Sequence, residues 1–152
     1  MNVSIVDFDA GYAESFKNLN YEWISKYFEI EDSDRKMLED PQGYIIDRGG
    51  SIFIALMDSV PVGTCALLKA SEESYELAKM AVAPQAQGHQ IGYRLGQVAI
   101  ERARSNKAKL IFLETNSTLK PALRLYEKLG FKEHQEHASP YTRCNVQLEL
   151  TL

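Results

Sequence analysis

The sequence is poor in cysteine: Cys65 and Cys144 are the only two among 152 residues. Neither sits in a CxxC or a zinc-like spacing, and each lies in an apolar, strand-like context. They read as buried free thiols, which argues against a disulfide scaffold or a thiolate metal site. Long hydrophobic runs are missing too; none approaches the ~18 residues of a membrane span. The start, MNVSIVDFDAGYAESF, lacks the basic flank and long apolar stretch of a secretory signal, so the expected location is the cytoplasm. Positive charge is in deficit, with 17 Lys and Arg against 21 Asp and Glu, a net charge of −4. No global basic field exists to recruit nucleic acid or an anionic membrane. Repeats, linkers and low-complexity tracts are absent, so residues 1–152 read as a single domain.

What is present is regular periodicity. Val3 to Phe8 alternates as a strand. Tyr12 to Phe28 reads as a helix whose stripe Tyr12, Phe16, Leu19, Trp23, Tyr27 is most simply core. Ser33 is placed to cap a short helix through Leu38, which Pro41 ends. A turn at Gly43–Asp47 closes at Gly49-Gly50. Ser51 to Met57 and Val60 to Lys69 flank Asp58-Ser59, a hairpin signal. Tyr75 to Ala83 is the next strand, stopped by Pro84. Ile91 to Ser105 is the strongest helix, with Ile91, Leu95, Val98, Ala99 and Arg102 or Ala103 on one face. Lys109 to Glu114 is a near-continuous apolar strand, hence central. Leu119 to Leu129 is a helix closed by Gly130. Phe131–His134 and Thr142–Leu150 complete the set; in the latter Cys144, Val146, Leu148 and Leu150 alternate with Arg143, Asn145, Gln147 and Glu149. The order β-α-α-β-β-β-α-β-α-β-β predicts an α/β mixed sheet with helices on both faces. The Tyr75 and Lys109 strands are joined by a helical crossover and should be parallel.

Two local features suggest chemistry. Gln87-Gly88-His89-Gln90-Ile91-Gly92 lies between a strand and a helix start, where unpaired backbone N–H groups and the helix dipole suit a pyrophosphate. A Rossmann turn would need G-x-G-x-x-G at the first βα unit, and a Walker loop would need Gly-Lys-Ser/Thr; neither is here. The second feature is Leu125-Tyr126-Glu127-Lys128-Leu129-Gly130-Phe131, a helix end carrying a tyrosine. Arg94, Arg102, Arg104, Lys107 and Lys109 cluster mildly, either as a solvated face or as help for an anionic cofactor.

Taken together, Tyr75 to Phe131 resembles the GNAT superfamily of acetyl-CoA-dependent N-acetyltransferases. The resemblance implies a mostly antiparallel central sheet of about six to seven strands. The family signature Q/R-x-x-G-x-G/A is matched by Gln87 and Gly92, while Gln90 replaces the inner glycine. Backbone donors survive that change unless the position requires φ > 0, where glutamine is disfavoured. The resemblance implies that Gln87, Gly88, His89, Gln90, Ile91 and Gly92 hold the pyrophosphate. It also implies that Met80, Ala81 and Val82 pair with the pantetheine arm as an added strand, and that Asn116 contacts the cofactor arm. Ala122 with Leu125–Phe131 matches the later signature, making Tyr126 the residue that protonates the leaving thiolate. Glu76 matches the family's acidic residue, a general base acting through water. A primary amine resembling lysine has a pKa of about 10.4 and needs such a base at neutral pH. The Val82 N–H is a candidate for holding the oxyanion.

No metal is expected: His134-x-x-His137 lacks further ligands at a diagnostic spacing. A covalent Cys/His mechanism finds no motif linking Cys144 to those histidines. The partner implied is a small-molecule or peptide amine, and the resemblance allows a homodimer. A non-catalytic acyl-CoA-binding regulatory module is the alternative, with Gln90 as the mark of a degraded site. The acceptor would meet Trp23, Tyr27, Phe28, the acidic run Glu29 to Asp34 and Ser139-Pro140-Tyr141. The acidic run reads either as an attractor for a cationic amine or as a solvated loop.

Overall fold

A computed structural model describes residues 2–133 and 143–152. Seven strands form one sheet: β1 (Val3–Asp7), β2 (Ser51–Met57), β3 (Val60–Lys69), β4 (Ser74–Val82), β5 (Leu110–Thr115), β6 (Lys132–Glu133) and β7 (Val146–Thr151). Four α-helices accompany them: α1 (Ala13–Tyr27), α2 (Asp32–Glu39), α3 (Ile91–Ser105) and α4 (Lys120–Leu129). The spatial order is β1-β2-β3-β4-β5-β7-β6. Every neighbouring pair is antiparallel except β4–β5, which is parallel as the crossover through α3 requires. Both residues of the Asp58-Ser59 hairpin turn have positive φ, 51° and 71°, which matches the strand twist.

Each face of the sheet carries its own core. On one, Ile91, Leu95, Ala99 and Ala103 of α3 pack on Phe53, Leu67, Leu77, Ile111 and Leu113. On the other, Phe16 and Ile24 of α1 and Leu38 of α2 pack on Ile52, Ile54 and Ala66. The buried stripe of α1 is therefore Phe16, Asn20 and Ile24, rotated one position from the aromatic stripe read in the sequence. Tyr27 is 46% exposed. An asparagine is tolerated in that core because its amide donates to the Phe16 carbonyl (2.9 Å) and the Thr64 hydroxyl (3.0 Å). The cap of α2 is Glu31, not Ser33: Glu31 and Asp34 form a reciprocal capping box. The Gly43 turn is a single π-helical turn over Gln42–Ile46.

Two irregularities place the site. β4 and β5 pair only at Ser74↔Leu110, Tyr75↔Ile111 and Glu76↔Phe112. Beyond Glu76 the strands part, and the edge of β4 from Leu77 to Val82 has no strand partner on that side among the described residues. The second irregularity is a bulge. Ala66 pairs with Ala78 and Thr64 with Ala81, so Lys79 and Met80 together stand opposite Cys65. Lys79 takes φ 52°, left-handed for a residue with a side chain.

Candidate active site

The cleft opened by the parting strands is lined by Glu76, Lys79 and Met80 of β4, Glu114 and Thr115 of β5, and Tyr126 of α4. Asn20, Trp23, Ile24 and Phe28 close the α1 side, and Arg143 and Cys144 the β7 side. Glu76 and Tyr126, fifty residues apart in sequence, thus face one space. Trp23, named both for the core stripe and for the acceptor side, lines this cleft, and its ring lies 5.2 Å from that of Tyr27 at a tilt of 51°.

Burial pushes the Glu76 carboxyl up to about 7, with Glu114 adding to the rise and Lys79 opposing it. A carboxyl in that range is a proton acceptor poised for neutral pH. Burial also holds the Tyr126 phenol above its ordinary range, with Cys65 and Cys144 contributing, so its O–H stays protonated. The tyrosine is fixed from both ends. Gly130 adopts φ 106° at the helix end, and the Phe131 N–H reaches back 3.0 Å to the Tyr126 carbonyl. The Phe131 ring then meets the Tyr126 ring edge-on at 6.1 Å.

Asn116 lines the same cleft, but its amide is largely engaged. It donates to the Arg143 carbonyl (2.6 Å) and accepts from the N–H (2.9 Å) and hydroxyl (2.7 Å) of Thr118. Ala81 is buried opposite Thr64, and Val82 lies further along the same strand.

Val82 leads into a second groove lined by Gln87, Gly88, Gln90, Ile91 and Gly92. His89 is exposed and does not line it. Gln90 caps α3 at φ 58°, ψ 27°, so the position does require a left-handed residue, and glutamine occupies it at a cost. Gly88, at φ 87°, has nothing within 4 Å of where a Cβ would stand, leaving the backbone open to a ligand. Ile91 is buried in the core and offers the groove only its backbone. Gly92 has a packing role besides: a Cβ there would lie 3.2 Å from Leu125 of α4.

Four of the five basic residues noted in the sequence are engaged elsewhere. Arg94 donates to the Val3 carbonyl (3.3 Å), Arg102 pairs with Asp7 (2.8 Å), Arg104 with Glu101 (2.9 Å) and Lys109 with Glu73 (3.3 Å). The cations at the groove are instead Arg124 and Lys128, one turn apart on α4. Open N–H groups, a left-handed turn and two flanking cations fit an anionic, phosphate-bearing ligand.

Sequence reasoning missed a cluster beneath the cleft. Asp34 accepts from Lys79 Nζ (2.7 Å) and from both Arg143 terminal nitrogens (2.8 and 2.9 Å). Arg143 also donates to Glu31 (3.0 Å). Burial alone would raise the Asp34 carboxyl, but the Arg143 hydrogen bond and the Lys79 charge bring it down to about 2. Part of the signal was in the sequence: Lys79 falls in period with Tyr75 and Leu77, so a buried cation that demands an anion was readable there, though the bulge turns it to the opposite face from those two. Likewise Gln147, in the polar row of β7, is buried and donates to Glu114 at 2.9 Å.

His134, His137 and Ser139-Pro140-Tyr141 lie outside the described residues. Among the described residues no cluster of three His, Cys, Asp or Glu side chains is placed to hold a metal ion. No helix among them is long and apolar enough to cross a membrane.

A family model described as Acetyltransferase (GNAT) family matches residues 17–131. An uncharacterized N-acetyltransferase, YjgM, of Escherichia coli (strain K12) is 35% identical over 89 residues, covering 57% of this chain and 53% of that protein. The chain spans about half the length of the curated relatives it matches. An acetyltransferase of the GNAT family from Staphylococcus aureus Mu50 has a TM-score of 0.89 to this fold at 20% identity, covering 99% of each chain. A GNAT superfamily phosphinothricin acetyltransferase from Sinorhizobium meliloti, solved in complex with AcCoA, has a TM-score of 0.81 at 16% identity, covering 100% of this chain and 89% of that one.

Proposed function

The chain belongs to the acetyltransferase (GNAT) family, and from that premise we propose that it transfers an acetyl group from acetyl-CoA to a primary amine by direct attack. The observation that carries this reading is the placement of Glu76 and Tyr126 on one cleft beside the unpaired edge of β4. Acetyl-CoA supplies the thioester carbonyl. Gly88 to Gly92 at the start of α3, with Arg124 and Lys128, take the pyrophosphate end. The Met80–Val82 backbone takes the amide-bearing arm as an added strand, and Asn116 offers it the amide N–H not engaged by Arg143.

Glu76, through a water, removes the proton from the incoming ammonium. The carboxyl at about 7 is half ionised at neutral pH, and holding both reactants in the cleft supplies the orientation. A backbone N–H of the Met80–Val82 stretch holds the oxyanion. Tyr126 donates its proton to the departing sulfur and regains one from the acylated nitrogen, so the proton count closes. The acceptor is a small-molecule or peptide amine that enters past Trp23 and Phe28.

Calorimetry with acetyl-CoA and turnover with a panel of amines test the reading. Binding with amine-dependent release of free CoA thiol is expected. Binding without release by any amine would instead favour an acyl-CoA-sensing module. In Glu76→Gln the acid limb of the pH–rate profile near pH 7 should disappear; a profile unchanged from wild type removes Glu76 as the base.

A further inference from the structure

Lys79 sits in the middle of a strand with its side chain 3% exposed, against an Asp34 side chain that is fully buried. Two neighbouring facts show how unusual that placement is. Leu77, two residues before it, points into the α3 core. Strict alternation would send Lys79 into the same apolar core. It reaches Asp34 on the α2 side instead, because the left-handed bulge at Lys79 inserts one residue and resets the rows. Ala78 pairs with Ala66 of the α1–α2 core, and Ala81 pairs with Thr64, which Asn20 of α1 contacts, so Ala78, Lys79 and Ala81 all face that side.

The bulge is held at both its ends. The Lys79 carbonyl accepts from the Thr64 hydroxyl at 2.8 Å, and Thr64 in turn accepts from Asn20. Its ammonium is held by Asp34. Asp34 also receives the Glu31 N–H at 2.9 Å and both arms of Arg143, tying α2, β4 and the segment before β7 together. Lys79 and Arg143 line the active cleft, whereas Asp34 lies behind them and does not. A buried ion pair is weak evidence for stability, since an apolar pair of similar volume often serves as well. What an apolar pair could not supply here is a cation fixed three residues from Glu76.

We propose that Asp34 is a positioning residue of the active cleft: by holding Lys79 and Arg143 it fixes the left-handed bulge of β4 and keeps the Lys79 cation in place to offset the Glu114 carboxylate at Glu76. This inference rests on the reading of Glu76 as the base. It also withdraws Glu31 and Asp34 from the acidic run as attractors for a cationic acceptor, because both carboxylates are committed to Arg143 and Lys79. The groups that face Glu76 are Lys79 on its own strand, Glu114 on β5, Tyr126 on α4, and Arg143 and Cys144 before β7. Glu149 of β7 lies two strands away in the same row, through Phe112. On α1 and its C-cap the cleft is lined by Asn20, Trp23, Ile24 and Phe28, none of them charged.

The test follows the Glu76 carboxyl itself, by ¹³C NMR titration of the side-chain carbon, assigned by its loss in Glu76→Gln. This readout does not need turnover, so it stands apart from the pH–rate test of the base. Lys79→Met removes the cation and should move the Glu76 midpoint up by roughly 0.5–1 pH unit. Asp34→Asn leaves Lys79 and Arg143 less compensated and should move it down by about as much. In the same variants kcat should fall further than KM for acetyl-CoA rises. Midpoints that stay at the wild-type value, or that move in the same direction in both variants, overturn the proposal, even if thermal stability drops. If Asp34→Asn does not fold, Lys79→Met decides alone: Asp34 keeps its two Arg143 bonds there, and an unmoved midpoint overturns the proposal.

Discussion

Tyr126 is held by its backbone through Phe131 and by its ring against the same residue, so removing its hydroxyl alters little besides the hydroxyl. Tyr126→Phe is therefore expected to lower kcat by about 10²-fold, the range of a lost proton donor, with acetyl-CoA affinity by calorimetry nearly unchanged. A variant with wild-type kcat would remove the donor role. Gln90 is a different kind of residue-scale case. Left-handed backbone costs a side-chain-bearing residue ~1–2 kcal/mol, while glycine's freedom in the unfolded chain returns ~0.5–1. Gln90→Gly should thus stabilise by up to about 1.5 kcal/mol in urea unfolding; a loss of stability would mean that the glutamine side chain contributes a contact. The departure at Gln90 was readable in the sequence, but its backbone angle was not, because the family pattern alone does not say which position is left-handed. Lys79 went unread for the converse reason: the period-2 row was visible, but the bulge that redirects the lysine arises from pairing with β3.

At the level of elements, α3 and α4 approach through a glycine seam. Gly92 seats Leu125, and a Cβ at Gly96 would lie 2.5 Å from a Leu129 methyl. Gly96→Ala should destabilise by ~1–3 kcal/mol through overpacking, despite alanine's better helix propensity. Chemical denaturation checks it; an increase in stability would show that Leu129 swings clear. The same seam joins the turn before α3, proposed above to take the pyrophosphate, to the helix of Tyr126, so loss of acetyl-CoA affinity is expected to accompany the loss of stability. The bounds of β2, β3 and α3 were legible to the residue because hairpin, proline and apolar period agree there. α1 was read one position out of phase, since Trp23 of its aromatic stripe turns to the cleft and an asparagine takes a core position. In β7 the alternation showed a polar row but not its partner: Gln147 is polar because it faces Glu114, not water.

Across the whole molecule, two carboxyls make stability depend on pH in opposite senses. Glu76 is raised from 4.5 to about 7, so the folded state gains from its proton, and that gain is lost as pH rises through this window. At 1.4 kcal/mol per unit the loss is at most roughly 3 kcal/mol. Asp34 is lowered from 3.8 to about 2, so its contribution is complete above 3.8 and lost as pH falls towards 2. Thermal unfolding should therefore show Tm falling from pH 5 to pH 8 in wild type, with Glu76→Gln flattening that fall; an equal fall in the variant would assign the effect to other groups. The mixed topology, the parallel β4–β5 pair and the helices on both faces were legible from element order, because handedness and crossover length leave few alternatives. That the pair would stop after Glu76↔Phe112 was not, since nothing local in either strand ends it. That stop also makes β4 a ruler. From Glu76 to Val82 is six residues, but the bulge takes one of them, so the edge matches five intervals of β3, about 17 Å of extended chain, with the proposed base at one mark and the turn before α3 beyond the other. On the proposed function, a thioester too short to span that length would gain one anchor or the other, and the donor would be selected by reach before any side chain inspects the acyl group.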